Sequence, residues 1–113
     1  MSCKIITSKS FLRAVKHLSK RYKSIKKDLI QLQESLQNDP LQGTDLGRNL
    51  RKVRMAITAK GKGKSGGARV ITYTLLVADV NSELMLLTIY DKSEKENISE
   101  HELLGILKEN GLV

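Results

Sequence analysis

Four cations stand within the stretch "AKGKGKSGGARVITY": Lys60, Lys62, Lys64 and Arg69, with Gly61, Gly63, Gly66 and Gly67 set among them. Side chains of this type bind phosphate, and glycine lets a backbone approach a phosphate chain closely. Three chemistries compete for such a segment. It could cradle a nucleotide, serve as a solvated basic connection, or act on a polyanion.

The nucleotide cradle fails on context. Gly61, Gly63 and Gly66 satisfy G-x-G-x-x-G, but a dinucleotide cradle must run into a helix whose N-terminus meets the pyrophosphate. The β-branched run "RVITY" follows instead. Gly63-Lys64-Ser65 resembles the end of a P-loop, yet the required first glycine falls on Thr58 and the helix is again absent. No small-molecule substrate is expected. A solvated loop explains the glycines and lysines. It does not explain why the preceding run displays Lys52 and Arg54, or why Arg69 opens the next.

The elements around the loop must position these cations. In "LRKVRMAI" (50–57), Val53, Met55 and Ile57 recur at period two, so Lys52 and Arg54 share the opposite, basic face of a strand. "RVITYTLLV" (69–77) and "ELMLLTIY" (83–90) predict an antiparallel hairpin turning at "ADVNS", with its second strand central. "CKIITS" predicts a first strand, and Ser8 or Ser10 can cap the helix after it. Phe11, Val15, Leu18, Tyr22, Ile25, Leu29, Leu32 and Leu36 form a continuous helical seam. A domain this small needs to cover its sheet, so the seam is expected to fold as two helices breaking near residues 20–25. Pro40, Gly43 and Gly47 close the helical region. Ser99 and Glu102 have capping-box spacing ahead of Leu103, Leu104, Ile106 and Leu107, and Asn110-Gly111 supplies the stop. The expected fold is α+β: a small, antiparallel-rich mixed sheet with an N-terminal helical hairpin and a C-terminal helix, in the order β-α-α-β-β-β-α.

At 113 residues the chain is expected to be a single domain over 1–113, and its 40% hydrophobic and 4% aromatic content gives one modest aliphatic core. No apolar run approaches the roughly 20 residues of a membrane span, and "MSCKIITSKS" has no long apolar signal region. The lone Cys3 makes neither an internal disulfide nor a zinc site, so a cytoplasmic protein without metal or other cofactor is expected. Charge is divided unevenly. Residues 1–69 carry seventeen Lys and Arg against four acids, a net +13, while residues 70–113 carry three against eight, a net −5. Such a directional field points to a phosphate backbone or an acidic protein partner.

The run "LRKVRMAITAKGKGKSGGARVITY", followed by "LLTIYDKSEKENIS" and preceded by "FLRAVKHLSKRYKSIKKDLIQLQESLQNDPLQG", resembles the RelE/HigB-like toxins of bacterial type II toxin–antitoxin systems. The resemblance spans residues 11–99, and KGKGKSGG-x-R-V-I-x-Y with L-x-x-I-Y-x-K-S is similar to the HigB-like branch. It implies a RelE-like fold and a ribosome-dependent endoribonuclease that enters the A site and cuts mRNA there. In that chemistry the 2′-hydroxyl attacks the adjacent phosphate, without a metal, and leaves a 2′,3′-cyclic phosphate. Carried onto this sequence, the arginine opening the strand is Arg69 and the basic residue after the last strand is Lys92. The basic loop positions fall among Lys60, Lys62 and Lys64. Arg69 would bind the non-bridging oxygens, Lys62 or Lys64 would be the general base, and Lys92 would assist the phosphate or leaving oxygen. Lys60, Lys52, Arg54, Lys16, Lys20 and Lys23 would hold mRNA or ribosomal RNA, and a cognate antitoxin would be a partner. Tyr90 and His101 are available for stacking or proton transfer and Tyr73 for stacking, although core packing explains the tyrosines at least as well and plain exposure explains His101 better. A non-catalytic ribosome-binding inhibitor and a gyrase inhibitor of the same fold are the alternatives.

Overall fold

The computed structural model describes residues 2–77 and 81–113. The chain runs β1 (Ser2–Thr7), α1 (Lys9–Arg21), α2 (Ile25–Asn38), β2 (Thr44–Gly47), β3 (Leu50–Met55), β4 (Ala68–Val77), β5 (Asn81–Asp91) and α3 (Glu100–Glu109). The five strands form one sheet in the order β1-β5-β4-β3-β2. β1 pairs parallel with β5, and the other pairings are antiparallel. The α+β class, the helical hairpin and the C-terminal helix are as the sequence predicts. β2 is an addition to the expected order. Its four residues are all exposed, so no apolar alternation marks it, and it exists through pairing with β3. The turn predicted at 78–82 rests on residues 78–80, outside the described residues.

The seam survives the break between the helices because α1 and α2 lie on the same face of the sheet. Phe11, Leu18, Ile25, Leu32 and Leu36 pack there with Val53, Met55, Ile57, Val70, Leu86 and Ile89. Burying each such apolar side chain stabilises the fold by about 1.5–3 kcal/mol. Ser8 caps α1, its Oγ accepting from the Phe11 N–H at 3.0 Å. The β4–β5 register slips at Leu87, and the Leu87 carbonyl accepts the hydroxyls of Ser8 at 2.8 Å and Ser10 at 2.7 Å. The bulge thereby fixes where α1 starts.

The opposite face carries a smaller cluster of Leu50, Ile71, Leu87, Tyr90 and Leu107, covered by α3. Ser99 caps α3, accepting from the Glu102 N–H at 3.1 Å. Lys52, Arg54, Arg69 and Tyr90 lie on this α3 side. Val53 and Val70 point to the helical hairpin, and alternation sends their neighbours the other way.

Candidate nucleic-acid site

The segment joining β3 to β4 begins with a 3-10 turn over Thr58–Lys60 and closes at Gly67. Gly67 makes the close approach that the strands need. A Cβ there would stand 2.2 Å from the Met55 carbonyl oxygen and 2.9 Å from the Ile57 nitrogen. The residues between, which the sequence offers as a solvated loop, are tied down at several points.

The first tie is Asp28 of α2, buried at 4% exposure. Its carboxylate accepts from the Thr58 N–H at 3.0 Å and from the Thr58 hydroxyl at 2.6 Å. Ser24, which donates to Asp28 at 2.8 Å, accepts from the Ala59 N–H at 2.9 Å. The second tie is Asp91, 1% exposed at the end of β5. It accepts from the Lys60 ammonium at 2.8 Å, the Tyr22 hydroxyl at 2.6 Å, and the Ser93 N–H and hydroxyl at 2.9 and 2.8 Å. Burial alone would push this carboxyl up; the hydrogen bonds from Lys60, Tyr22 and Ser93 outweigh it and hold Asp91 well below the usual carboxylate range. The same contact with Asp91, followed by burial, raises the Tyr22 hydroxyl above its ordinary value.

The third tie runs the other way. The Arg69 residue is 4% exposed, and its guanidinium donates to the carbonyls of Lys64 at 3.0 Å, Ala68 at 3.1 Å and Ser65 at 3.3 Å. These partners are neutral, and among the described residues no carboxylate pairs with Arg69. Directly across the β3–β4 ladder stands Arg54, and across β4–β5 stands Tyr90. Burial, and then the charge of Arg54, depress the Arg69 guanidinium below its ordinary value. Like charges directly opposite in a sheet repel.

Lys92 joins the loop through its backbone, its N–H donating to the Gly67 carbonyl at 3.1 Å. Its side chain and that of Lys62 line one open cleft of about 460 Å³, together with Lys60, Gly66, Glu94 and Glu96. Lys64 is exposed and lines a different depression, with Arg54 and the α2 residues Asp28, Gln31, Leu32 and Ser35. The structure therefore brings Lys62 and Lys92 into one cleft, bonds Arg69 to the backbone of the same loop, and leaves Lys64 on a separate depression. It separates Lys60 from them in role, because that ammonium is sunk at 9% side-chain exposure against Asp91. Lys52 bonds the Asn97 side chain at 3.1 Å. Lys16, Lys20 and Lys23 stand exposed on and after α1 and do not line the cleft.

A family model described as the RelE toxin of the RelE/RelB toxin–antitoxin system matches residues 3–111. The chain belongs to the RelE toxin family. Membership makes this protein a toxin of the toxin–antitoxin class and implies an antitoxin as its partner. Among the described residues of this RelE-family toxin, no helix is long and apolar enough to cross a membrane. No group of three or more His, Cys, Asp or Glu stands together there as a metal site.

Sequence reasoning missed the anchors of the RelE-family loop: Asp28, Asp91 and Tyr22. Asp28 had a readable signal. It lies three residues after Ile25 and four before Leu32, on the buried face of α2. Asp91 had only its place beside the apolar run "LLTIY"; nothing local announces that Lys60 and Tyr22 converge on it.

Proposed function

We propose that this toxin is a ribosome-dependent endoribonuclease of the HigB-like branch, which cuts mRNA in the A site and so inhibits translation. One observation carries the reading: Arg69 is a buried guanidinium with no carboxylate partner among the described residues, facing a second arginine, at the foot of a loop that presents lysines. A buried charge left without a counter-charge is costly, and a phosphate diester supplies the missing charge.

In this mechanism the proton of the 2′-hydroxyl passes to a loop lysine, and the freed oxygen bonds to the adjacent phosphorus. The bond from phosphorus to the 5′-oxygen breaks, and that oxygen leaves with a proton taken from the Lys92 ammonium. Lys62 is favoured as the base over Lys64, because it shares the cleft with Lys92. Lys92, lining the same cleft, serves the phosphate or the leaving oxygen. Three of the five N–H donors of Arg69 hold loop carbonyls. The remaining two, and the undiminished positive charge, serve the non-bridging oxygens. The exposed Lys16, Lys20 and Lys23 meet ribosomal RNA. Lys60 is assigned to the scaffold rather than to RNA.

Mapping 5′-ends of mRNA in a translating extract, with and without the protein, tests the proposal. New 5′-hydroxyl ends within A-site codons are expected with wild-type protein and not with Arg69→Ala. Cleavage that persists unchanged in Arg69→Ala would remove that arginine from the mechanism. Arrest of translation without any new ends would make the toxin a ribosome binder instead.

A further inference from the structure

Away from the loop, the α3 side of the sheet holds a second cleft of about 520 Å³, between the β2–β3 hairpin and α3. Leu46, Leu50 and Leu104 contribute to its apolar floor, and Arg48, Lys52 and His101 line it as well. The turn that brings Arg48 there is unusual. Gly47 pairs with Leu50, so Arg48 and Asn49 form a two-residue hairpin turn with φ of 54° and 67°. Such a turn favours Asn followed by Gly; Asn49 suits it, and an arginine in the left-handed region does not. A side chain kept where the backbone disfavours it directs attention to what that side chain does.

Arg48 has no carboxylate partner among the described residues, and Lys52 binds only the neutral Asn97. Arg51, pointing the other way from β3, does pair with Asp45 at 3.8 Å. From this cleft, cations extend along β3 toward the loop. Lys52 and Arg54 share one face of β3 about 7 Å apart, and Arg54 stands opposite Arg69. Arg48, Lys52, Arg54 and Arg69 thus make a file of cations leading from the cleft to the loop. Glu100 is the one acid on the cleft wall.

We infer that this cleft is a subsite for the single-stranded RNA flanking the scissile phosphate. Phosphates follow the cation file, and a nucleotide lies between the apolar floor and His101, whose ring can stack on a base. The inference rests on the endoribonuclease reading and adds residues that determine which neighbouring nucleotides are accepted. RNA is favoured over an acidic antitoxin segment because Lys52 and Arg54, on one face of β3, run from the cleft toward Arg69.

Two variants test it: Arg48→Asn, which suits the turn better than arginine and so keeps the fold, and His101→Ala. The readouts are cleavage in a translating extract, sequenced at nucleotide resolution, and binding of a labelled single-stranded oligoribonucleotide across a salt series. Arg48→Asn should raise KM about 10-fold, as one lost charge contact does, with little change in kcat. It should also lower the salt slope of binding by about one. His101→Ala should alter nucleotide preference beside the cut more than the overall rate. Identical KM, preference and salt slope in both variants, with wild-type protein cleaving normally, would overturn the subsite. Variants that weaken only antitoxin binding would overturn it as well, and would give the cleft to the antitoxin. Should wild-type protein fail to cut while Arg48→Asn still loses salt slope, the subsite stands and the cleavage reading falls.

Discussion

Lys60 and Arg69 stand at the two ends of one loop, both cationic and both withdrawn from solvent, yet their surroundings are opposite. Lys60 is matched: Asp91 takes its charge at 2.8 Å and closes a network with Tyr22 and Ser93. Arg69 is unmatched: its partners are carbonyls, and its nearest cross-strand neighbour on β3 is another arginine. The matched end is complete without a ligand. The unmatched end has charge left over. Within one basic segment, the counter-charge in the fold therefore separates a cation that has an ionic partner from one that has none among the described residues.

This contrast can be broken most forcefully at Asp91. Asp91→Ala leaves the Lys60 ammonium buried and unpaired, and should cost about 3–5 kcal/mol in a urea melt. Lys60→Met combined with Asp91→Leu should recover much of that loss. A single-variant cost well under about 1 kcal/mol would mean that the matched end holds nothing together.

Arg69→Ala tests the other end. Cleavage should fall by about 10²- to 10³-fold, as on losing one transition-state donor. The effect on stability should be smaller, because no opposite charge is stranded. If stability collapses instead, Arg69 belongs with Lys60 and the contrast dissolves.

Gly67→Ala lies between the two ends. Its Cβ meets the Met55 carbonyl oxygen at 2.2 Å, and overpacking of this kind costs about 1–3 kcal/mol. Amide exchange of residues 58–67 should quicken as the loop is pushed off β3. An unshifted exchange pattern would show that the close approach is dispensable.

Acid titration gives the smallest effect. The folded carboxyl of Asp91 lies below its ordinary value of 3.8, so its contribution is fully present above that value. The contribution fades as pH falls through the lower, folded value. The stability gap between wild type and Asp91→Asn should be constant from about pH 7 to about pH 5 and narrow in stronger acid. A gap that widens on acidification would reverse the assigned charge.

Much of the fold was legible because its signals are local. The seam from Phe11 to Leu36, the alternation of Val53, Met55 and Ile57, and the Ser99–Glu102 cap each declare an element within a few residues. β2 was illegible because an exposed four-residue strand has no pattern of its own. The loop was legible as cationic and illegible as anchored. Its ties reach from Thr58 back to Asp28 and from Lys60 forward to Asp91, separations over which sequence spacing carries no information.

By itself, then, the sequence determined the segregation of charge, the periodicities that make α+β elements, and a glycine-spaced run of cations suited to phosphate. Only the tertiary structure decided which cations have partners. Ionic pairing acts over a few ångströms in space between residues tens of positions apart, and desolvation depends on what the whole fold stacks above a side chain. That is why Lys60 and Arg69, alike in type and near in sequence, part company once the chain is folded.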